Sequence, residues 1–241
     1  MKASPSDLQA ILEVQLLDDQ LASLAKREAS LPETVALGAT TIKRNNIRDL
    51  RIAAETELTD IKRELARAEG DVEQIVTRIN RDEARLASGT GTPKELEQTQ
   101  HELVTLGARR AELEEAELAI MVSVEALVNR IAELSGEEAR FNEEIADLEI
   151  KRENALTIIM NERTAVAEKR AQIEAPIGEE LKKLYAKLAA DNNGNGAALL
   201  VGNECKGCHL TINTTEVGRI ASLPADEVIR CEQCRCILVR S

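Results

Sequence analysis

Apolar side chains recur at alternating steps of three and four residues through part of this chain, for more than five consecutive repeats. This heptad spacing puts one narrow apolar row, here called the seam, along a helix and leaves the other faces polar. A helix of this kind must bury its seam against another helix. The first seam comprises Ile47, Leu50, Ala54, Leu58, Ile61, Leu65, Ala68, Val72, Ile75, Ile79 and Leu86.

The composition favours long helices over a large globular core. Aromatic residues make up 1% of the 241 residues, whereas charged residues make up 31%. Such a chain lacks the bulk that normally fills a core, but it suits helices that bury only a seam. No stretch approaches the roughly 18 consecutive apolar residues of a membrane span. The N-terminal segment also lacks the apolar core of a signal peptide. We therefore expect a cytoplasmic protein that does not bind membranes.

A tight turn is predicted at 87–93, directly after the first seam. Two glycines end one helix there, and Thr92 with Glu95 forms a capping box around Pro93 at the start of the next helix. The two legs of about 40 residues each span ~60 Å and form an antiparallel hairpin. Facing residue numbers should sum to about 182. The return seam comprises Leu96, Leu103, Leu106, Leu113, Ile120, Val124, Leu127, Ile131 and Leu134, with the polar Arg110 and Glu117 on it.

The seam continues past Leu134 and needs a second partner. The N-terminal segment supplies it, because this segment carries an apolar face before Leu31-Pro32 interrupts it, and chain direction makes it antiparallel to 150–175. Residues 33–46 then form a short helical bridge or a kinked joint, and Ser135-Gly136 is a candidate bend. The facing rows are Leu8, Val14, Leu17, Leu21 and Leu24, and Phe141, Ile145, Leu148, Ala155, Ile159, Val166 and Ile173.

Four cysteines near the C-terminal end, Cys205, Cys208, Cys231 and Cys234, form two C-x2-C pairs separated by 22 residues. Each pair can aim two sulfur atoms at one ion from a tight turn, at about 2.3 Å. Two such turns complete a tetrahedron and leave no position for water or substrate. The spacing therefore predicts a zinc ribbon that holds one structural Zn²⁺ ion.

Other roles for the cysteines stay open at this stage. Two disulfides or a redox C-x-x-C motif would use the same residues, although a cytosolic chain keeps its thiols reduced. Iron in a rubredoxin-like site is the rival metal, since sulfur-only tetrahedra suit both ions. Cys236 could compete for the ion, but its one-residue spacing from Cys234 better fits a spare side chain on a strand. His209 is a minor alternative ligand.

The predicted fold class is mainly α, with a long antiparallel coiled-coil hairpin followed by a small β zinc ribbon. The helical arm covers 1–190, an Asn- and Gly-rich hinge covers 191–196, and the ribbon covers 197–241. Two short apolar strands, near 197–201 and 237–239, bracket the cysteines.

Tyr185 is the one tyrosine of the chain and lies just before the predicted hinge. It could pack on one of the two predicted strands or offer a stacking platform to a ligand. Packing is the favoured interpretation.

The charge pattern limits nucleic-acid binding to a local site. A formal net charge of −12 argues against a chain whose whole surface grips phosphate. Residues 197–241 escape this acidity because acidic and basic side chains are balanced there. The candidate contacts to nucleic acid or to a partner are Lys206, Arg219, Arg230 and Arg235.

The chain resembles a bacterial family with an N-terminal coiled-coil hairpin and a four-cysteine zinc ribbon. The resemblance rests on the long helices and on the segments 205–210, CKGCHL, and 231–234, CEQC, followed by Ile237-Leu238. Members usually carry Gly and then Arg after the fourth cysteine, where this chain has Arg235 and Cys236. The resemblance implies an adaptor or chaperone. Some relatives look like partners of an alternative sigma factor and of flagellar or type III secretion components, and nucleic-acid binding has been attributed to such proteins.

Three classes of function follow from these patterns. The first is a non-enzymatic adaptor that binds protein partners, related to transcription or secretion, through its arm and ribbon; self-association stays open. The second is a DNA- or RNA-binding module that acts through the ribbon in transcriptional or post-transcriptional regulation. An enzyme is the least favoured, because His101 lies on the arm and His209 beside the ribbon, so no catalytic set can be assembled.

Overall fold

The computed structural model describes residues 1–240, so Ser241 of the predicted ribbon lies outside the described residues. Long helices followed by a small sheet confirm the predicted fold class. The helices are α1 (Pro5–Ala29), α2 (Pro32–Ser88), α3 (Pro93–Glu174), α4 (Glu179–Asp191) and α5 (Thr214–Ser222). The strands are β1 (Ala197–Val201), β2 (Glu204–Cys205), β3 (Ile229–Arg230) and β4 (Ile237–Arg240).

The chain divides into two compact units. One unit combines residues 1–35 with the residues from 149 onward, and the other contains residues 36–148. The first unit therefore joins segments that are far apart in sequence. The predicted division into an arm at 1–190, a hinge at 191–196 and a ribbon at 197–241 stays a prediction.

The hairpin of the second unit turns between Ser88 and Pro93, as predicted. Gly89 has φ 61° and Gly91 has φ 143°, which are backbone conformations that glycine adopts most easily. The Thr92 amide donates to Glu95 Oε2 at 2.8 Å, and the Glu95 amide donates to Thr92 Oγ1 at 3.4 Å. These reciprocal bonds form the capping box, and the bond from the Thr92 amide is the main cause that lowers the pKa of Glu95.

Polar contacts join the two legs of the hairpin in antiparallel register. Their residue numbers sum to between 180 and 189, which agrees with the expected value of about 182 to within two helical turns. The contacts are Thr40–Glu144 (3.2 Å), Arg44–Asn142 (3.3 Å), Arg51–Glu138 (2.8 Å) and Arg78–Glu102.

The predicted seam is wrong at Leu50, because this residue is 52% exposed and does not face the other leg. The step from Ile47 to Ala54 is one heptad, and either residue 50 or residue 51 can fill the inner position between them. Arg51 takes that position, where its Nε donates to Glu138 Oε2 at 2.8 Å on the other leg. An ion pair across the hairpin thus replaces an apolar contact.

Helix α1 packs antiparallel to the C-terminal part of α3, as predicted. Four of its apolar side chains, Leu8, Ile11, Val14 and Leu17, are buried. Residues 33–46 belong to the continuous helix α2, and α3 continues through Ser135-Gly136. Three ion pairs join α1 to α3: Arg27–Glu162 (3.0 Å), Arg163–Glu28 (2.8 Å) and Arg170–Asp18 (2.5 Å).

A four-stranded sheet follows α4, in the order β2-β1-β4-β3. The two apolar strands β1 and β4 run parallel at its centre, with Ala197 opposite Ile237, and β2 and β3 flank them in antiparallel pairs. Successive residues of a strand point to opposite faces, so the central strands feed two apolar clusters. One cluster contains Leu8, Ile11, Val14, Ile177, Leu181, Tyr185, Leu188, Ala197, Ile237 and Val239. The other contains Ala198, Leu200, Cys205, Ile212, Ile220, Ile229, Cys231, Cys236 and Leu238.

The Gln15 side chain connects α1 to the start of the sheet. Its Oε1 accepts from the amides of Gly196 (2.7 Å) and Ala197 (3.1 Å), and its Nε2 donates to the Gly194 carbonyl at 3.0 Å. The Tyr185 hydroxyl oxygen lies 3.2 Å from Gln15 Oε1. Gln15 is buried, so these bonds satisfy groups that water cannot reach.

Tyr185 is a packing residue, in agreement with the favoured interpretation. It is buried, and a Cβ added at Gly196 would lie 2.6 Å from its ring. Its hydroxyl donates to Asp18 Oδ2 at 2.7 Å, and Asp18 also accepts from Arg170. Burial is the main cause that raises the pKa of Tyr185, and the hydrogen bond to Asp18 is the second cause. A ring enclosed in this way offers no stacking surface to a ligand.

Replacing Gln15→Ala should lower the free energy of unfolding of the first unit by about 1 to 3 kcal/mol, because the Gly196 and Ala197 amides lose their buried acceptor. Urea unfolding followed by tyrosine fluorescence measures this, since Tyr185 is the one tyrosine and the chain has no tryptophan. Gln20→Ala, at an exposed position of the same helix, is the matched control. Equal shifts of the two variants would contradict the role of Gln15.

Candidate metal centre

The two cysteine pairs lie on turns with the same backbone geometry. The residue after the second cysteine of each pair, His209 or Arg235, has positive φ, at 57° and 61°. The amide of that residue donates to the carbonyl of the first cysteine, Cys205 at 2.8 Å or Cys231 at 2.9 Å. Each hydrogen bond closes a tight turn and brings the two sulfur atoms of its pair to the same side. The C-x2-C spacing predicts such turns.

The four predicted ligand sulfurs form one cluster, with all four within 4.8 Å of one another. Contacts between the two turns join Cys205 to Cys234 at 3.9 Å and Cys208 to Cys231 at 4.0 Å. A tetrahedron with sulfur at about 2.3 Å from a central ion has edges of about 3.8 Å. The arrangement is therefore compatible with a single tetrahedral ion, and all five cysteines of the chain are free thiols.

Burial strongly affects the protonation of these thiols. It raises the pKa of the Cys231 thiol to about 12, and it is also the main cause that raises the pKa of Cys208. For Cys234 burial acts in the same direction, but bonds from the Cys236 amide and from neighbouring thiols lower its pKa overall. A cation favours the thiolate form of cysteine, so the donor set fits a soft divalent metal.

Two residues outside the cysteine pairs hold the first turn in place. A Cβ added at Gly207 would lie 2.9 Å from Ala198 Cβ and 3.4 Å from Cys236 Sγ, so glycine allows this turn to approach β1 closely. Asn195 Nδ2 donates to the Gly207 carbonyl at 2.8 Å. The sequence analysis did not identify either residue as part of the site. The glycine inside the first pair was the available signal, whereas Asn195 looked like an ordinary turn residue.

The two alternative ligands lie in different surroundings. The His209 side chain is 74% exposed, and its Nδ1 lies 3.4 Å from Glu204 Oε1. Cys236 is fully buried, with its sulfur 3.2 Å from that of Cys234 and 3.7 Å from that of Cys205. It lies just before β4 begins at Ile237. His209 therefore faces solvent, whereas Cys236 contacts the sulfur cluster.

The four candidate basic contacts do not form one uniform patch. Lys206 Nζ lies 2.8 Å from Glu204 Oε2, and Arg219 Nε donates to Glu216 Oε2 at 2.7 Å. These neighbours partly neutralise both charges. Arg230 and Arg235 are exposed beside the second cysteine turn. The charge available to bind an anion is therefore concentrated at Arg230 and Arg235.

No helix within residues 1–240 is both long enough and apolar enough to cross a lipid bilayer.

Arg235→Gly should raise the free energy of unfolding of the first unit by about 1 kcal/mol, because glycine adopts the positive φ of this position without steric strain. Arg235→Ala removes the same charge but keeps a Cβ, so it should give no such gain. Urea unfolding followed by the fluorescence of Tyr185 measures both variants. Equal stabilisation by glycine and alanine would assign the effect to charge rather than to the backbone.

Solved structures share this architecture. A structure from Mycobacterium smegmatis is similar over 100% of both chains, with a TM-score of 0.89 and 30% sequence identity. The structure of CT398 from Chlamydia trachomatis is similar over 98% of both chains, with a TM-score of 0.72 and 20% identity. The HP0958 protein from Helicobacter pylori has a TM-score of 0.53 at 14% identity over 100% of this chain and 99% of its own. The last two likenesses concern the fold alone.

Sequence comparison gives the family. The uncharacterized protein Rv2229c of Mycobacterium tuberculosis is 32% identical over 244 residues, which cover 100% of this chain and 98% of the relative. The uncharacterized protein ML1638 of Mycobacterium leprae is 24% identical over 89% of this chain and 92% of its own length. The profile of the CT398-like coiled coil hairpin domain matches residues 14–193. The chain therefore belongs to the CT398-like coiled coil hairpin family, and its four clustered cysteines add a potential metal site to the family's helical hairpin.

Proposed function

We propose that this protein is a non-enzymatic adaptor that binds protein partners through its helical arm. The ribbon is its second contact surface, and one zinc ion held by four cysteines stabilises that surface. The role rests on the shape and chemistry of surfaces rather than on a reaction.

An outward row of apolar and small side chains on α3 is the observation that carries the proposal. Val104 is 72% exposed and Val122 is 67% exposed, and they are 18 positions apart, which is five turns of helix, so both lie on the same face. Ala108, Ala111 and Leu118 lie close to the same line and are also exposed. We call these five residues the outer row. A helix that exposes such a row in water is suited to bind another apolar surface.

The surroundings of the outer row define the chemistry of the partner. Glu115 lies within the row, and Glu112, Glu114 and Glu125 border it. Arg109 neutralises Glu112 and Arg110 neutralises Glu114 within the helix, which leaves Glu115 and Glu125 to interact with a partner. An amphipathic helix with a basic border complements a row of this kind. Proteins of transcription or secretion, which the family resemblance implies, are the first candidates.

Zinc is the proposed ion because a compact set of four thiols matches its preferred ligands. Cys205, Cys208, Cys231 and Cys234 would hold it, and it would supply the cross-link between the two turns. With four protein ligands the ion has no open position for a substrate, so its role would be structural.

Nucleic-acid binding through the ribbon is the second candidate function. The exposed Arg230 and Arg235 beside the second turn favour it. The carboxylates beside Lys206 and Arg219 weigh against it, because phosphate binding depends on clustered free cations. A DNA or RNA complex of this kind would lose affinity steeply as salt is added.

Affinity capture from the cytosol of the source bacterium tests the adaptor role. We expect the wild-type protein to retain a partner with a basic amphipathic helix, and Val122→Glu to reduce its recovery at least about tenfold, because a buried charge opposes the contact. Ile158→Glu places the same charge on another exposed position of α3 and serves as the control. Equal recovery by both variants would contradict the outer row as the contact. Recovery of nucleic acid that depends on Arg230 and Arg235 would favour the second candidate.

Elemental analysis of the purified protein should find about one zinc ion per chain. A strong chelator should then increase amide hydrogen exchange in residues 197–240 and leave the hairpin of residues 36–148 unchanged, because the thiols lie in the first unit alone. The hairpin is the internal control of this experiment. A protein without stoichiometric metal would contradict the zinc site, and iron in place of zinc would indicate the rival ion.

A further inference from the structure

We propose that Cys236 is a fifth metal-directed thiol, which exchanges with Cys234 as a ligand of the same ion. The proposal rests on the metal site of the proposed function and adds one residue to it. The four-cysteine pattern does not include this residue.

The distances among three sulfur atoms carry the proposal. Cys205, Cys234 and Cys236 form a triangle with edges of 3.9, 3.7 and 3.2 Å. The circle through three points with these separations has a smaller radius than a zinc–sulfur bond of about 2.3 Å. One ion can therefore reach all three sulfur atoms at bonding distance. Cys236 therefore lies within reach of an ion that Cys205 and Cys234 hold, whereas the four sulfur atoms that all lie within 4.8 Å of one another do not include it, so full exchange requires a small shift of the ion.

The surroundings of Cys236 direct its sulfur to this cluster. Its side chain is fully buried, and its sulfur contacts two of the four predicted ligands. The Cys231 amide donates to the Cys236 carbonyl at 3.0 Å, which holds residue 236 beside the second turn. The first turn also approaches, because a Cβ at Gly207 would lie 3.4 Å from the Cys236 sulfur. Both turns thus enclose the fifth thiol.

The exchange balances without any further reagent. The bond from the ion to the Cys234 sulfur breaks, and a bond to the Cys236 sulfur forms. The proton of the Cys236 thiol moves to the Cys234 sulfur across the 3.2 Å contact. The ion has four thiolate ligands before and after the exchange, so its charge and oxidation state do not change. Cys234 is partly exposed, so the exchange places a free thiol where solvent can reach it.

Alkylation of the zinc-loaded full chain with iodoacetamide tests the exchange. Trypsin cuts after Arg230 and Arg235, so Cys234 and Cys236 fall on different peptides and mass spectrometry measures each of them. In the wild type we expect Cys234 to be alkylated at least about threefold faster than in Cys236→Ala, where Cys234 must remain a ligand. Equal protection of Cys234 in the two proteins would overturn the proposal.

Metal retention gives a second, independent readout. Cys234→Ala should keep close to one zinc per chain after gel filtration, because Cys236 replaces the missing ligand, and Cys234→Ala/Cys236→Ala should lose it. Cys208→Ala is the matched control. The sulfur contacts of Cys236 are to Cys205 and Cys234, so Cys236 is not placed to replace Cys208, and this variant should lose more zinc than Cys234→Ala. Equal zinc loss in the two single variants would overturn the role of Cys236. A wild-type protein that binds no zinc would instead remove the metal site itself.

Discussion

The first unit depends on the burial of α1 against both α3 and the sheet. Leu8, Ile11 and Val14 lie in the same apolar cluster as strand residues from β1 and β4. The buried side-chain amide of Gln15 fixes the position of α1 relative to the sheet, because its hydrogen bonds to residues 194–197 form in one register only. Apolar burial supplies most of the stability in such a contact, whereas a buried polar group with several partners selects one arrangement. The cysteine turns therefore belong to a unit whose N-terminal helix is part of their support.

Local patterns predicted the helices well. The seams, the capping box at Thr92 and the interruption at Pro32 all act within a few residues of their own position, so a single sequence contains them. The exceptions arise where two side chains could fill one position. Leu50 and Arg51 both fit the heptad, and only the presence of Glu138 on the other leg selects Arg51. The role of Gln15 could not be predicted from nearby residues, because the backbone amides that it binds lie about 180 residues away.

The cysteine cluster was predictable because ligand spacing is a local property of each turn. The surroundings of the fifth thiol were not predictable. The one-residue spacing from Cys234 suggested that Cys236 is a spare side chain on a strand, but the strand begins only at Ile237 and Arg235 has positive φ. That backbone conformation lets both sulfur atoms approach each other. The positive φ of Arg235 thus sets the position of the Cys236 sulfur, which the cysteine spacing did not predict.

The combination of residues 1–35 with residues beyond 149 in one unit has a consequence for biosynthesis. The α1 segment leaves the ribosome first, but the strands that cover Leu8, Ile11 and Val14 are translated more than 180 residues later. At 5 to 20 residues per second, the delay is roughly ten seconds or longer. During that time the local hairpin of residues 36–148 can close by itself, while the apolar face of the nascent α1 waits for its partner strands. Exposed apolar surface of this kind is what chaperones bind and what leads to aggregation.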